Sequence, residues 1–195
     1  MKILACDTSS SVCAVGVFEN DKLIGKNELD NGKTHSENFM PLVEKTLKES
    51  NLSLADIDTI AVVVGPGSFT GIRIGITIAK VYAWSLNIPI TTITSLEAMS
   101  LSSNSNKVHV PMINARRGYV FAAVYDENNK EIIEPQHIKL DELMEKISKI
   151  ADYEIITNDE FEEINNTSNY SPDLLKVVLQ FKDKEVINPH AVNPA

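Results

Sequence analysis

The pattern of apolar and polar positions opens with three successive strands. "KILACDTSS" starts as a nearly continuous apolar run, which suits a strand buried on both faces. "VCAVGVFEN" sets Val12, Ala14, Gly16 and Phe18 against Cys13, Val15 and Val17, so it too is apolar on both sides. Asn20-Asp21 marks a hairpin turn into "DKLIGKNELD". A helix follows in "THSENFMPLVEKTLKESN". Phe39, Met40, Leu42, Val43 and Leu47 share one face there, and Glu44, Lys45, Lys48 and Glu49 turn away. Thr34 or Ser36 caps its start, Glu37 suits its first turn, and Pro41 removes one hydrogen bond and should bend the axis or delay the regular start. "TIAVVVGPG" is a fourth strand.

Residues 69–87, "FTGIRIGITIAKVYAWSLN", satisfy two periods at once. Ile72, Ile74, Ile76 and Ile78 alternate as a strand does, but "AKVYAWSLN" does not continue the alternation, and the segment is assigned as a helix. One stripe is then Ile72, Ile76, Ala79, Ala83 and Leu86; a second is Ile74, Ile78, Val81 and Tyr82. A helix apolar on two faces must be covered twice, once by its own sheet and once by something else. "IPITTITS" is a fifth strand and "LEAMSLSS" a short helix. After the linker-like "SSNSN" the order partly restarts. "VHVPMINAR", "YVFAAVYDE" and "EIIEPQHIKL" are strands, "DELMEKISKI" a helix, "YEIIT" a strand and "SPDLLKVVLQFKD" a helix. Strand-strand-strand-helix-strand thus occurs twice. The expected division is an N-terminal subdomain over 1–104 and a smaller C-terminal one over 105–195.

Composition narrows the chemistry. The 195 residues carry a net charge of −9, so the chain is a poor standalone ligand for a phosphate backbone. Its arginines are Arg73, Arg116 and Arg117. The two cysteines, Cys6 and Cys13, lie in apolar strands and suit buried, reduced thiols. No run approaches the ~20 apolar residues of a membrane span, and the expected location is the cytoplasm. His35, His109, His137 and His190 are scattered without zinc spacing, so no metal site is expected. Asp7, Thr8 and Ser9 at a hairpin tip could hold a metal-phosphate group, although Asx and hydroxyl turns produce the same residues. "GPGSFTGIRIG" matches neither G-x-x-x-x-G-K-[ST] nor G-x-G-x-x-G. Its plain reading is a turn at Gly65, Pro66 and Gly67, with Gly71 and Gly75 clearing one side of a helix for close packing. "NARRGYVFAAVY" places two arginines at a hairpin turn, equally a charged turn and an anion or partner contact. No glycine follows Gly118, so the second half has no glycine loop for a nucleotide.

"ILACDTSS", "HSENFMPLVEKTL", "VVVGPGSFTGIRIGITIAK", "ITSLEAMS" and "INARRGYVFAAVY" together resemble the TsaB family, also called YeaZ, from Met1 to about Tyr125. The resemblance implies an actin/sugar-kinase/Hsp70-ATPase-like (ASKHA) α/β fold of two βββαβα-type subdomains. It also implies a role in threonylcarbamoylation of adenosine 37 of ANN-decoding tRNAs, as a non-catalytic scaffold with no catalytic residue of its own. The implied partners are a TsaD-like catalytic paralogue and a TsaE-like ATPase. A homodimer uses the same helices, and tRNA is met only as part of the complex. No cofactor is expected on this chain alone, while a nucleotide at the joint with the TsaD-like partner stays open. The interface residues so implied are His35, Phe39, Met40, Val43, Leu47, Phe69, Ile72, Arg73, Ile74, Ile76, Ala79 and Lys80, with either stripe of the helix facing the partner. Asp7, Thr8 and Ser9 become a vestigial phosphate loop. Two departures stand out: Asn114 where relatives commonly have Asp before Ala-Arg, and an end at "VNPA" where relatives usually continue past a P-x-Y-L. The rival readings are a small ATPase or kinase using Asp7, a metalloprotease and a tRNA-binding module.

Overall fold

The computed structural model describes residues 1–30, 35–162, 164, 167–181 and 187–195. Strands β1 (Lys2–Asp7), β2 (Val12–Glu19) and β3 (Lys22–Asp30) form an antiparallel meander. Its second turn is Asn20-Asp21, with φ of 46° and 70°, as a two-residue hairpin requires. Helix α1 (His35–Glu49) then leads to β4 (Thr59–Val63), helix α2 (Phe69–Leu86) to β5 (Ile90–Ile93), and β5 to helix α3 (Ser95–Ser102). The sheet order is β3-β2-β1-β4-β5, with β1, β4 and β5 parallel.

The second sheet repeats this plan. It holds β6 (Val108–Arg116), β7 (Tyr119–Tyr125), β8 (Glu131–Lys139), β9 (Tyr153–Ile156) and the two-residue β10 (Thr167–Ser168). Its order, β8-β7-β6-β9-β10, is the first sheet's order again, with β6, β9 and β10 parallel. Helix α4 (Leu140–Ile147) stands where α1 stands in the first half, and helix α5 (Leu174–Phe181) follows β10 as α3 follows β5. This doubled order is the expected actin/sugar-kinase/Hsp70-ATPase-like arrangement. The halves differ in one element: between β9 and β10 no helix is present among the described residues, where the first half has α2.

The chain divides into units Met1–Ser95 with Pro172–Ala195, and Leu96–Ser171, which corrects the expected boundary after residue 104. The physical reason is packing of the two terminal helices. Leu96 and Met99 of α3 are buried with Ala123, Tyr125 and Ile156 of the second unit. Leu174, Val177 and Val178 of α5 are buried in the first, where the helix packs against β1, β2 and β5. The last residues also return there. Ile187 and Ile90 exchange hydrogen bonds of 2.8 and 3.3 Å, Val192 is buried, and the Ala195 N–H donates to the Val64 carbonyl at 2.8 Å.

Helix α1 buries His35, Phe39, Leu42, Val43, Thr46 and Leu47 against the first sheet. Met40, expected on that face, is 45 % exposed, because it lies one step round the helix from Phe39. Pro41 sits within the helix on its exposed side. The Thr34 cap falls outside the described residues. In the second unit Val110, Met112, Val120, Ala122, Val124, Leu143 and Ile147 form the core between sheet and α4.

Glu154 of β9 ties that unit together. Its carboxylate accepts from Ser103 at 2.7 Å and from the Ser168 hydroxyl. Burial acts to raise its pKa, but these two hydroxyls, with His109 and Lys107 nearby, hold it below the usual glutamate range. A depressed folded pKa stabilises fully above the unfolded value, and the contribution is lost as pH falls through the folded value. Glu154→Gln is therefore expected to be less stable than wild type at neutral pH. The difference should shrink on acidification below the glutamate range, read as urea midpoints against pH; a constant difference would refute the assignment.

Candidate functional site

Asp7 ends β1 and is fully buried. Its Oδ1 accepts the Ser9 N–H at 2.8 Å and the Ser9 hydroxyl at 2.6 Å, so the turn closes on itself. Thr8 donates its hydroxyl to the Gly71 carbonyl at 2.8 Å, and the Ser68 N–H donates to the Ser9 carbonyl at 2.8 Å. His35 Nε2 lies 2.8 Å from the Ser10 carbonyl; a carbonyl only accepts, so Nε2 carries the proton. The turn is thus satisfied from β1, α1 and the start of α2.

Glycine makes that closure possible. A Cβ at Gly67 would strike the Ser9 carbonyl oxygen, one at Gly71 the Thr8 carbonyl oxygen, and one at Gly75 the Thr8 hydroxyl. Gly67 also has a φ of +153° and Gly65 one of +105°, conformations that L side chains rarely adopt. Ser68 caps α2 by accepting from the Gly71 N–H at 3.2 Å. The glycine segment is therefore a turn and a packing surface that seats the start of α2 against Thr8 and Ser9. Both cysteines adjoin this buried carboxylate. Burial, then Cys13 and Asp7, pushes the Cys6 thiol far up, and burial, then Asp7, raises Cys13 to about 12, so neither is a nucleophile at neutral pH.

Helix α2 presents the second candidate feature. Gly71, Ile72, Gly75, Ile76, Ala79 and Ala83 are buried under it against β4 and its neighbours. Ile74 and Ile78 are half-buried along the edge of the same core. On the far side Phe69 and Trp84 are each 69 % exposed and Val81 54 %. Arg73 lies over the Phe69 ring, 3.7 Å from its centroid, and Lys80 donates to the Val192 carbonyl at 3.0 Å.

This placement corrects most of the interface set read from the sequence. His35, Phe39, Val43, Leu47, Ile72, Ile76 and Ala79 are buried in this chain's own core, because the sheet covers the stripe they form. Met40, Phe69 and Arg73 face outward, and Ile74 and Lys80 are half-buried. Sequence reasoning missed Trp84 as an exposed site residue and placed Val81 in the second apolar stripe without naming it among the interface residues. The 77-81-84 spacing along one helix face was the available signal.

The β6–β7 hairpin tip holds Arg116, Arg117 and Gly118, with φ of 66°, 54° and 77°. The side-chain Oδ1 of Asn114 accepts the Arg116 N–H at 2.8 Å. By strand order this tip corresponds to the Asp7 turn. Here, among the described residues, no glycine helix fills the space, and a hollow of about 510 Å³ is lined by Asn114, Arg116, Arg117, Asp141, Glu160 and Phe161 among others. Neither guanidinium lies within ion-pair reach of a carboxylate among the described residues. The histidines have separate settings. His109 contacts Ser100 at 3.0 Å and the Ser105 carbonyl at 3.2 Å, and His137 stacks on Tyr119. Among the described residues no three His, Cys, Asp or Glu side chains gather as a metal site would require, and no helix is long and apolar enough to cross a membrane.

The close approach carries a testable cost. Gly71→Ala forces a methyl into the Thr8 backbone and is expected to lower stability by about 1–3 kcal/mol. Ser68→Ala, which removes only the cap, should cost about 1 kcal/mol. Chemical denaturation compares the two; a Gly71→Ala protein as stable as wild type would show that the backbones are not in contact.

Comparison with known proteins places this architecture. The family model described as TsaD, tRNA N6-adenosine threonylcarbamoyltransferase, matches residues 29–181. The tRNA threonylcarbamoyladenosine biosynthesis protein TsaB of Bacillus subtilis (strain 168) is 34% identical over 153 residues, covering 76% of this chain and 67% of that protein. TsaB of Buchnera aphidicola subsp. Schizaphis graminum is 29% identical over 196 positions, 97% of this chain and 89% of the relative. The solved structure of YeaZ from Pseudomonas aeruginosa superposes over the whole of both chains with a TM-score of 0.78 at 18% identity, a likeness of fold. On the family model and the curated relatives together, the chain belongs to the TsaB (YeaZ) family.

Proposed function

We propose that this chain is a non-catalytic subunit of an assembly that threonylcarbamoylates adenosine 37 of ANN-decoding tRNAs. In this reading it acts in the cytoplasm, pairs with a TsaD-like catalytic paralogue through the outer face of α2, and works alongside a TsaE-like ATPase. The observation that carries the reading is the contrast between the two sides of the first unit. The Asp7 turn is buried and internally satisfied, so it offers little to a substrate. The 18-residue α2, by contrast, holds Phe69, Val81 and Trp84 out to solvent. Large exposed aromatic groups on a rigid helix are what interface centres are made of. The same face suits pairing between two copies of the chain.

A nucleotide at the joint with the TsaD-like partner fits the other unit. Arg116 and Arg117, which make no ion pair among the described residues, border a hollow of about 510 Å³ and suit a phosphate chain. Asn114 there is neutral, so a charge-bearing Asp role is not carried to it. The rival ATPase or kinase reading would run its chemistry through Asp7, which is buried and already accepts both Ser9 donors.

Reconstitution tests the proposal. A TsaD-like protein, a TsaE-like ATPase, tRNA and a source of threonylcarbamoyl-adenylate are combined with and without this chain. Modification is expected only with it, and Asp7→Asn should leave transfer within about threefold of wild type. Val81→Asp and Trp84→Glu should weaken pairing with the TsaD-like protein at least about tenfold on size-exclusion or calorimetry, with unfolding midpoints unchanged. Ile76→Arg should instead unfold the first unit, since Ile76 is buried. Transfer that proceeds without the chain would overturn the scaffold role.

A further inference from the structure

Outside these features, aromatic and basic side chains gather on the opposite face of the second sheet. Odd-numbered residues of β7 point away from α4, whose Leu143 and Ile147 pack with Val120, Ala122 and Val124. On the odd face Tyr119 and His137 stack with ring centroids 4.8 Å apart and planes 5° apart. Phe121 meets the same imidazole at 5.1 Å, tilted by 51°. Register shows two rows across the strands: Arg116, Tyr119 and Lys139, then Ile113, Phe121 and His137. His137 and Lys139 are exposed, and Tyr119 and Phe121 are half-buried. Phe121 packs, partly buried, against the edge of the cluster of Leu96, Met99 and Tyr125, and the His137 imidazole rests on the Tyr119 and Phe121 rings.

A planar ring stacked on one side and open on the other is a step onto which a further ring can be added. Nucleic-acid bases supply such rings, and each base stacked on an aromatic side chain contributes about 1–3 kcal/mol. The row above supplies cations, Arg116 and Lys139, on both sides of Tyr119, where the phosphates flanking an unstacked base would pass. Asp141, Glu160 and Glu162 line the same hollow as Arg116 and Tyr119, so carboxylates stand at that end of the row, whereas Lys139 is not part of that lining. A chain of net charge −9 does not track a long phosphate backbone, but it can hold one base and its neighbouring phosphates at a local basic spot.

We propose that the open face at His137, Tyr119 and Phe121 is a stacking platform for one unpaired base of single-stranded RNA. Its occupant in the assembly is a looped-out nucleotide of the tRNA substrate. That identification of the RNA rests on the proposed function; the stacking itself does not.

Two measurements separate these. In the first, the isolated chain is titrated with a short oligoadenylate and the His137 ring protons are followed by NMR. Upfield shifts, lost in Tyr119→Ala and not produced by inorganic phosphate, are expected; unshifted ring protons overturn the platform whatever the assembly does. In the second, transfer kinetics are measured in the reconstituted complex. His137→Ala should raise KM for tRNA about tenfold with kcat little changed, and His137→Phe should restore KM to within about twofold. Rescue by His137→Lys but not by His137→Phe would reduce the contact to simple charge and overturn stacking. Weakened pairing of His137→Ala with the TsaD-like protein would assign the face to protein and overturn the RNA assignment. Ring-proton shifts together with transfer that does not need this chain would sink the functional reading and leave the base platform standing.

Discussion

Between the β1–β2 turn and the start of α2 two stretches of backbone run so close that nothing larger than hydrogen fits at three positions. Gly67, Gly71 and Gly75 face the Thr8 and Ser9 atoms directly, and the Thr8–Gly71 and Ser68–Ser9 hydrogen bonds lock the approach. Much else follows from that contact. It fixes the rotation of α2 about its axis, so Ile72, Ile76, Ala79 and Ala83 go down onto the sheet. It closes the Asp7 turn, burying the carboxylate with its Ser9 donors. With one face of α2 committed, the remaining apolar side chains have nowhere to go within the first unit but outward.

The second half shows the same strand order without this contact. Its hairpin tip carries Asn114, Arg116, Arg117 and Gly118, and the described residues between β9 and β10 supply Phe161 and Ile164 to the core edge in place of a helix. The hollow left at the tip, and the two guanidiniums beside it, are the chemical consequence. One architecture thus yields a sealed tip in one unit and, in the other, an open one lined by charged side chains of both signs. The difference traces to one helix, present between β4 and β5 and missing among the described residues between β9 and β10.

Local signals carried a good part of this. The three opening strands, the Asn20-Asp21 turn, both α1 and α2, and the repeated element order are legible because apolar periodicity and turn chemistry act over a few residues. The packing role of the glycines was legible too, since the segment fits neither phosphate-binding pattern. The two-residue β10 was not, because a pair of residues carries no periodicity.

What the sequence by itself determined, then, is the list of elements and the amphipathic character of each. Tertiary structure decided which side of an element is covered. Sequence alone leaves both apolar stripes of α2 equivalent; burial of Ile76 and exposure of Val81 and Trp84 depend on the sheet and on the Thr8 contact, sixty and more residues away along the chain. The unit boundary is of the same kind. The expected break at the polar "SSNSN" is a local cue, whereas α3 and α5 join their units through side chains distant in sequence, Leu96 with Tyr125 and Leu174 with β1 and β2. The stacking of His137 on Tyr119 likewise exists only once β7 and β8 are in register. Periodicity is a property of neighbours along the chain, and coverage is a property of neighbours in space.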